Sequence, residues 1–158
     1  MGTREAGFTS SLPGYRKFDD PTDRAELAAL WNVDESRLPT KRGMAYPDII
    51  EGAVGNKIRA MWIIATNPLV SFPNQDVLRQ ALSNLDFLVV QDLFMSETAR
   101  LAHLVLPGAA FLEKDGTFTN LERRIQRIRK AVDPPHDILP DWQVVCEIST
   151  RMGYPMSY

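Results

Sequence analysis

Polar side chains suited to binding a phosphorylated ligand follow three apolar runs of the sequence. Asn67 comes after the first run, Gln91 and Asp92 end the second, and Lys114 follows the third after a short loop. An aspartate at a strand end accepts hydrogen bonds from a ribose or a base, and a lysine places a point charge near a pyrophosphate. This set of side chains suits a phosphorylated ligand with a heterocycle better than it suits acid–base chemistry.

Each of these residues also has an ordinary structural role that the sequence leaves open. Asn67-Pro68 is a common turn dipeptide, Asp92 suits the start of a helix or turn, and Lys114 lies between two acidic residues as in a solvated loop. The sequence has neither a G-x-G-x-x-G motif nor a Walker A motif, which disfavours an ordinary NAD or ATP domain. No nucleophile–base pair is apparent, and we expect no catalytic residue in this chain.

Composition and charge exclude several classes of protein. The 158 residues are 44% hydrophobic and 24% charged with a net charge of −2, so we expect no nucleic-acid partner and no membrane partner. One cysteine and two histidines are too few for a zinc or iron–sulfur site, and no metal ligand is predicted. No apolar run reaches the roughly 20 residues that cross a bilayer, no signal-peptide core is present, and we expect a cytoplasmic protein.

The apolar runs predict parallel strands of an α/β fold. Residues 58–65, 87–90 and 104–106 are nearly continuous apolar runs, typical of strands covered on both faces. Their alternation with helical patterns predicts a three-layer, Rossmann-like parallel sheet with right-handed crossovers. In such sheets ligands bind beyond the carboxyl ends of the strands, near a switch in strand order. The helices are predicted over residues 21–32 with Asp20 as the N-cap, over residues 46–54, 74–83 and 96–101, and from an N-cap at Asp141 to Gly153.

We interpret residues 1–56 as a loop and helical lead-in segment of the same domain, and residues 57–158 as the α/β domain. Within the second part, residues 117–119 and 124–127 favour strands, although the latter also fit a helix. The basic residues at 123–130 have no interleaved aromatic residues, which favours a salt-bridged or phosphate-facing strand. A nucleic-acid-binding protein that uses this basic stretch stays open as an alternative function.

The sequence strongly resembles the molybdopterin oxidoreductases in four strings: WIIATNPLVSFPN, LDFLVVQD, LVLPGAAFLEKDGTFTNLERRIQRIRKAVDPP and PDW. This family includes prokaryotic nitrate reductases and formate dehydrogenases. The likeness covers about residues 57–153, and its most specific part is E-K-D-G-T-F-T-N-x-E-R-R. The opening GTREAGFTSSLPGYRKF also resembles the family, with a lean towards the nitrate reductases.

The resemblance implies a four-domain enzyme that holds molybdenum or tungsten between two pterin guanine dinucleotides. This chain then corresponds to the third domain, which has the α/β fold of the formate dehydrogenase and DMSO reductase group. Matching motifs imply that this domain contacts one molybdopterin guanine dinucleotide (of the Mo-bis-MGD cofactor) through Asn67, Gln91, Asp92, Lys114 and Asp141. The Asp92 position is the one expected to read the guanine. The family's 4Fe–4S cluster and metal ligand have no counterpart in these residues, so we expect a domain excised from a larger enzyme and inactive alone.

The resemblance therefore implies the cofactor domain of a nitrate reductase, which reduces nitrate to nitrite with two electrons in nitrate assimilation. The alternative within the family is the alpha subunit of a formate dehydrogenase, which oxidises formate to carbon dioxide. Expected partners are the remaining domains of the parent enzyme and an electron-donor subunit or protein. A freestanding nucleotide-binding or scaffold module without redox chemistry is the alternative from another class.

Overall fold

The computed structural model describes residues 2–7 and 10–156. The α-helices of this part of the chain are α1 (Gly2–Glu5), α2 (Pro21–Trp31), α3 (Tyr46–Val54), α4 (Pro68–Ser71), α5 (Gln75–Ser83) and α6 (Asp141–Arg151). Its strands are β1 (Ala60–Ile64), β2 (Phe87–Asp92), β3 (Leu104–Pro107), β4 (Gly116–Thr119) and β5 (Ile125–Ile128). Contacts between Cα atoms group the described residues into two compact units: 1–44 with 116–128, and 45–115 with 129–158.

Helix α2 organises the first unit, and the sequence predicts where it begins and ends. The Asp20 carboxylate accepts hydrogen bonds from Thr22 N at 2.9 Å and Asp23 N at 3.4 Å, and Pro21 occupies the first helical turn. Asn32 ends the helix in the left-handed conformation. The predicted N-cap is confirmed. The buried residues of this unit form a small core of Leu12, Leu27, Ala28 and Leu38.

Strands β4 and β5 form an antiparallel hairpin within the first unit. Their register pairs Gly116 with Ile128 and Thr119 with Ile125. The Asn120 side-chain oxygen accepts from Arg124 N at 2.9 Å and closes the turn between the strands. The strand interpretation of both segments is therefore confirmed, and the helical alternative for residues 124–127 is excluded.

The second unit contains a parallel sheet in the order β1-β2-β3, which confirms the α/β fold. Each strand lies beside the next one in sequence, and right-handed crossovers then place both connections on the same face of the sheet. The core agrees with this placement, because Leu78 of α5 and Ala99 of the second connection belong to the same buried cluster as Leu88 and Val90 of β2. Helix α3 packs against α5 on that face.

The opposite face of the sheet is only partly covered. Alternation along the strands places Phe87 and Leu104 on this face, and they are 47% and 44% exposed. On the core face Leu88 is 0% exposed. The expectation that the strands are buried on both faces is therefore met on one face only, since both crossovers lie on that side.

Two predicted helix starts differ from the structure. Between residues 96 and 101 only Ala99–Leu101 is helical, as a 3-10 turn. Pro140, not Asp141, is the N-cap of α6, and Asp141 is its first residue. The Asp141 carboxylate accepts from side chains of other segments, so it does not cap the amides of its own helix. None of the helices within residues 2–7 and 10–156 combines the length and apolar character that crossing a bilayer requires.

A leucine-to-alanine substitution is expected to lower the free energy of unfolding by different amounts on the two faces of the sheet. We expect Leu88→Ala to lower the free energy of unfolding by about 2–5 kcal/mol, because it leaves a cavity in the core. Leu104→Ala is expected to cost about 1 kcal/mol or less, since the side chain is already half in water. Urea unfolding followed by circular dichroism measures both variants. Equal losses would show that the second face is as tightly packed as the first.

Candidate functional site

Three polar side chains, linked by hydrogen bonds, lie at the carboxyl end of the parallel sheet. Gln91 ends the central strand with a side chain that is 1% exposed, and its Nε2 donates to Asp141 Oδ1 at 2.7 Å. The second oxygen of Asp141 accepts from Lys114 Nζ at 2.6 Å. We call Gln91, Asp141 and Lys114 the Gln91 cluster. It joins β2, the first residue of α6 and the loop after β3.

The side-chain oxygen of Gln91 is buried and has no donor among the described residues. Exchanging the amide oxygen and nitrogen does not remove this mismatch, because an oxygen would then face the Asp141 carboxylate. A buried acceptor without a partner costs about 1–3 kcal/mol. The site therefore lacks one hydrogen bond, which an N–H or O–H group of a ligand would supply by donating to Gln91 Oε1.

Asp141 and Lys114 form an ion pair at the solvent boundary. Both side chains are about one third exposed, at 37% and 31% respectively, so the pair is worth no more than about 1 kcal/mol. A Cβ at Gly108 would lie 3.3 Å from Asp141 Oδ1, closer than ordinary contact. Glycine at the end of β3 thus lets the backbone approach this carboxylate. The weak pair leaves Lys114 able to exchange Asp141 for another anion.

Asn67 belongs to a second cluster, formed with Glu97 and Thr98. The Asn67 Oδ1 atom accepts from Thr98 Oγ1 at 2.7 Å and from Thr98 N at 3.3 Å. Its Nδ2 donates to Glu97 Oε2 at 2.7 Å, and the Thr98 hydroxyl also accepts from Leu69 N at 3.2 Å. Thr98 is 0% exposed. This Asn67 cluster ties the segment after β1 to the segment after β2.

Asp92 shapes the turn that connects the two clusters. One carboxylate oxygen accepts from Leu93 N at 2.7 Å, and the other accepts from Ser96 Oγ at 3.1 Å. Gly108 N donates to the Asp92 carbonyl at 3.1 Å. Each carboxylate oxygen keeps a further lone pair, so Asp92 remains able to accept from a ligand.

The exposed carboxyl of Glu97 has a perturbed pKa. The hydrogen bond from Asn67 is the largest cause, and it lowers the pKa of Glu97 because it stabilises the ionised form. The bond from its own backbone amide and the positive charge of Arg100 act in the same direction. At neutral pH Glu97 is therefore an anion that holds the Asn67 amide.

The five residues predicted from the sequence are divided between these arrangements. The structure brings Gln91, Lys114 and Asp141 together, whereas Asn67 and Asp92 make separate contacts with the segment after β2. Sequence reasoning missed Glu97 and Thr98, which it placed only within the helix predicted over residues 96–101. It also missed the contact between Gln91 and Asp141, which lie far apart in the chain and carry no local signal for it.

The polar groups at this edge of the sheet are hydrogen-bond acceptors and one cation. In the part of the chain that the structure describes, no group of three or more His, Cys, Asp or Glu side chains is placed to hold a metal ion. The edge offers two groups that can accept hydrogen bonds, the unpartnered Gln91 Oε1 atom and the Asp92 carboxylate, and an exchangeable cation at Lys114. These groups fit a base that carries N–H donors together with a phosphate.

The chain matches the family model described as Molybdopterin oxidoreductase over residues 19–151. It is 45% identical over 90% of its length to a formate dehydrogenase alpha subunit of Methanocaldococcus jannaschii. It is 38% identical over 98% of its length to a nitrate reductase of Synechocystis, and 38% identical over 94% to formate dehydrogenase H of Escherichia coli. These matches cover 20%, 22% and 20% of the relatives, so the chain spans about one fifth of their length.

A solved structure also resembles the described fold. Acetylene hydratase from Pelobacter acetylenicus superimposes with a TM-score of 0.64 at 29% sequence identity. The superposition covers 72% of this chain and 16% of the hydratase. The solved relative and the sequence relatives thus agree that this chain corresponds to a limited part of much longer proteins.

The Asn67–Glu97 bond predicts a measurable titration. We expect the pKa of Glu97 to lie below its ordinary value and to return towards it in Asn67→Ala, because the stabilising donor is lost. Since the folded-state pKa is lowered, the stability from this bond is present above the unfolded-state pKa and is lost as the pH falls through the folded-state value. Carboxyl NMR across the acidic range measures it.

Asn84→Ala is the matched control for this titration, because the Asn84 amide donates to the Val54 carbonyl and not to Glu97. It should leave the Glu97 titration unchanged. A Glu97 pKa that is the same in wild type and Asn67→Ala would contradict the assignment of the bond.

Proposed function

The chain belongs to the molybdopterin oxidoreductase family, and we propose that it is the part of a larger enzyme that holds one molybdopterin guanine dinucleotide at the carboxyl edge of β1, β2 and β3. The observation that carries this proposal is the buried Gln91 Oε1 atom, which accepts no hydrogen bond from any described residue and lies on the strand residue next to Asp92. In the whole enzyme the metal held by the dinucleotides supplies the site of a two-electron exchange with substrate.

Guanine suits this edge because it presents N–H donors. Its amino group donates hydrogen bonds, whereas its O6 and N7 atoms accept them. Gln91 Oε1 and the free lone pairs of Asp92 are acceptors on neighbouring residues of β2. Alternation along the strand directs the two side chains to opposite faces of the sheet. We propose that Asp92 reads the guanine from the edge and that Gln91 accepts from a second donor of the dinucleotide.

Lys114 is our candidate for the pyrophosphate. Among the described residues its ammonium group bonds to Asp141 alone, and both side chains of that pair are about one third exposed. A phosphate group carries more charge than a carboxylate and offers several oxygens, so it competes well for the ammonium group. In this proposal Asp141 is a positioning residue, since it holds both Lys114 and the amide of Gln91.

Asn67 has a smaller role in this proposal than the strand-end pattern suggests. Its oxygen accepts two bonds from Thr98 and its amide group donates to Glu97, which leaves one N–H for a ligand. We propose that Asn67 mainly keeps the segment after β1 in place and offers this single donor to the dinucleotide.

For the whole enzyme we propose nitrate reductase activity, in which nitrate accepts two electrons and two protons and yields nitrite and water. The match to the Synechocystis nitrate reductase extends over 98% of this chain, against 90% for the Methanocaldococcus formate dehydrogenase. The second candidate is formate oxidation to carbon dioxide and a proton with release of two electrons. The higher identity of 45% to the formate dehydrogenase favours that candidate.

We further propose that the rest of the parent polypeptide covers the half-exposed face of the sheet. Trp62 lies on that face, and its indole N–H is buried without an acceptor among the described residues. The residues that follow Asp92 are also exposed and apolar, including Phe94 at 79%. Exposed apolar surface of this kind is typical of an interface. We expect an electron-donor subunit or protein elsewhere on the enzyme, and a cytoplasmic location.

Cofactor retention tests the dinucleotide proposal in the full-length gene product. Gln91→Met, Asp92→Asn and Lys114→Met each remove one polar contact, and we expect each to weaken retention about tenfold or more. Molybdenum measured by mass spectrometry and guanine nucleotide released by acid hydrolysis report the bound cofactor.

Exposed residues of the same types provide matched controls. Gln80→Met, Asp76→Asn and Lys57→Met change surface positions of the second unit and should retain the cofactor as the wild type does. Wild-type molybdenum content in all three site variants would refute the proposed contacts.

A direct assay distinguishes the two candidate substrates. Full-length enzyme supplied with reduced viologen should consume nitrate, with a kcat/KM about a hundredfold above any activity on formate, a difference of about 2.7 kcal/mol. Formate-dependent reduction of oxidised viologen at that level would establish the second candidate instead. Both results leave the dinucleotide proposal standing, because cofactor retention is measured separately.

A further inference from the structure

A cavity of about 540 Å³ lies within the first compact unit, between residues 10–19 and residues 40–42. Four basic residues and one acidic residue line it: Arg16, Lys17, Lys41, Arg42 and Asp19. The whole chain has a net charge of −2, so this concentration of positive charge runs against the overall balance. Clefts lined by one sign of charge attract the opposite ion.

Three of the four basic side chains that line the cavity have no bonding partner within the described residues. The side chains of Lys17, Lys41 and Arg42 form no hydrogen bond or ion pair with any residue in the described ranges. Arg16 differs, because its Nε donates to Glu26 Oε2 at 3.2 Å and its Nη1 to the Pro13 carbonyl at 3.1 Å. The cavity thus combines one fixed guanidinium with three cations that are available to a ligand.

The loop that presents Arg16 is held in one conformation. Leu12 and Arg16 form a backbone bridge, and Leu12 is buried in the small core of this unit. Gly14 and Tyr15 both have positive φ angles, of 72° and 62°. The φ of Gly14 lies in the left-handed region that favours glycine, and a Cβ there would displace the Arg16 guanidinium from its present position. The site is therefore built by the fold rather than by flexible surface lysines alone.

We propose that this cavity binds a small phosphate-class polyanion, of which inorganic pyrophosphate is the simplest probe. Arginine and lysine are the residues that bind phosphate groups best, and the hydroxyls of Ser10, Ser11 and Thr40 in the lining are further donors. The cavity has the volume of a small-molecule site, so an extended nucleic acid is disfavoured. The inference is independent of the proposed dinucleotide contacts, because Gln91, Lys114 and Asp141 belong to the other unit.

Titration of the 158-residue chain with pyrophosphate at constant ionic strength tests the proposal. NMR spectra with dispersed amide signals first establish that the first unit is folded in the sample. We expect saturable binding by calorimetry, with amide shifts confined to residues 10–19 and 40–42. The double variant Lys41→Gln/Arg42→Gln should weaken binding at least tenfold, since it removes two of the available cations.

The double variant Lys57→Gln/Arg79→Gln is the matched control, because it makes the same charge change at exposed positions of the second unit. It should bind pyrophosphate as the wild type does. Equal weakening in both double variants, or unsaturable binding, would overturn the proposal and indicate general charge screening. Nitrate or formate binding as tightly as pyrophosphate would also overturn it, because the site would then lack preference for a polyanion.

Discussion

The handedness of the parallel crossovers is the constraint on which the second unit depends. Three strands in the order of the sequence, joined by right-handed connections, receive both connections on one face. That face buries Leu88 and Val90 against α3 and α5. The other face receives no crossover, which explains why Phe87 and Leu104 stay half exposed. The uneven covering follows from topology, since the residues on both faces are apolar.

The same topology explains why the candidate site is formed by polar side chains at the sheet edge and not by a crevice at a switch in strand order. The described strands show no reversal of order, so the crevice expected at a switch point is not formed within this sheet. The carboxyl edge still gathers polar groups, because parallel strands end together and the loops after them start there. Gln91 from β2, Asp141 from α6 and Lys114 from the loop after β3 meet at this edge through direct bonds of 2.6–2.7 Å.

Local patterns predicted much of the fold, and long-range contacts escaped prediction. The Asp20 N-cap, the helix at Tyr46–Val54 and the three parallel strands follow from capping, periodicity and apolar runs. Asp141 was misassigned because capping geometry depends on which donors are near, and its donors come from distant segments. The strand-end rule located Gln91 and Lys114 at the edge. It gave no indication that Thr98 donates two hydrogen bonds to the Asn67 Oδ1 atom.

Internal pairing at the edge determines what a ligand must offer. Lys114 is paired with Asp141, and Asn67 is hydrogen-bonded to Glu97 and Thr98. A ligand that binds these residues must replace those bonds, so its net gain in binding free energy is the difference between the new bonds and the old ones. The buried oxygen of Gln91 is different, because no described donor satisfies it. A ligand that brings an N–H to this atom removes a cost already present in the fold. A donor brought to Gln91 Oε1 therefore gains a full hydrogen bond, whereas a group bound at the paired residues must first replace a bond that is already made.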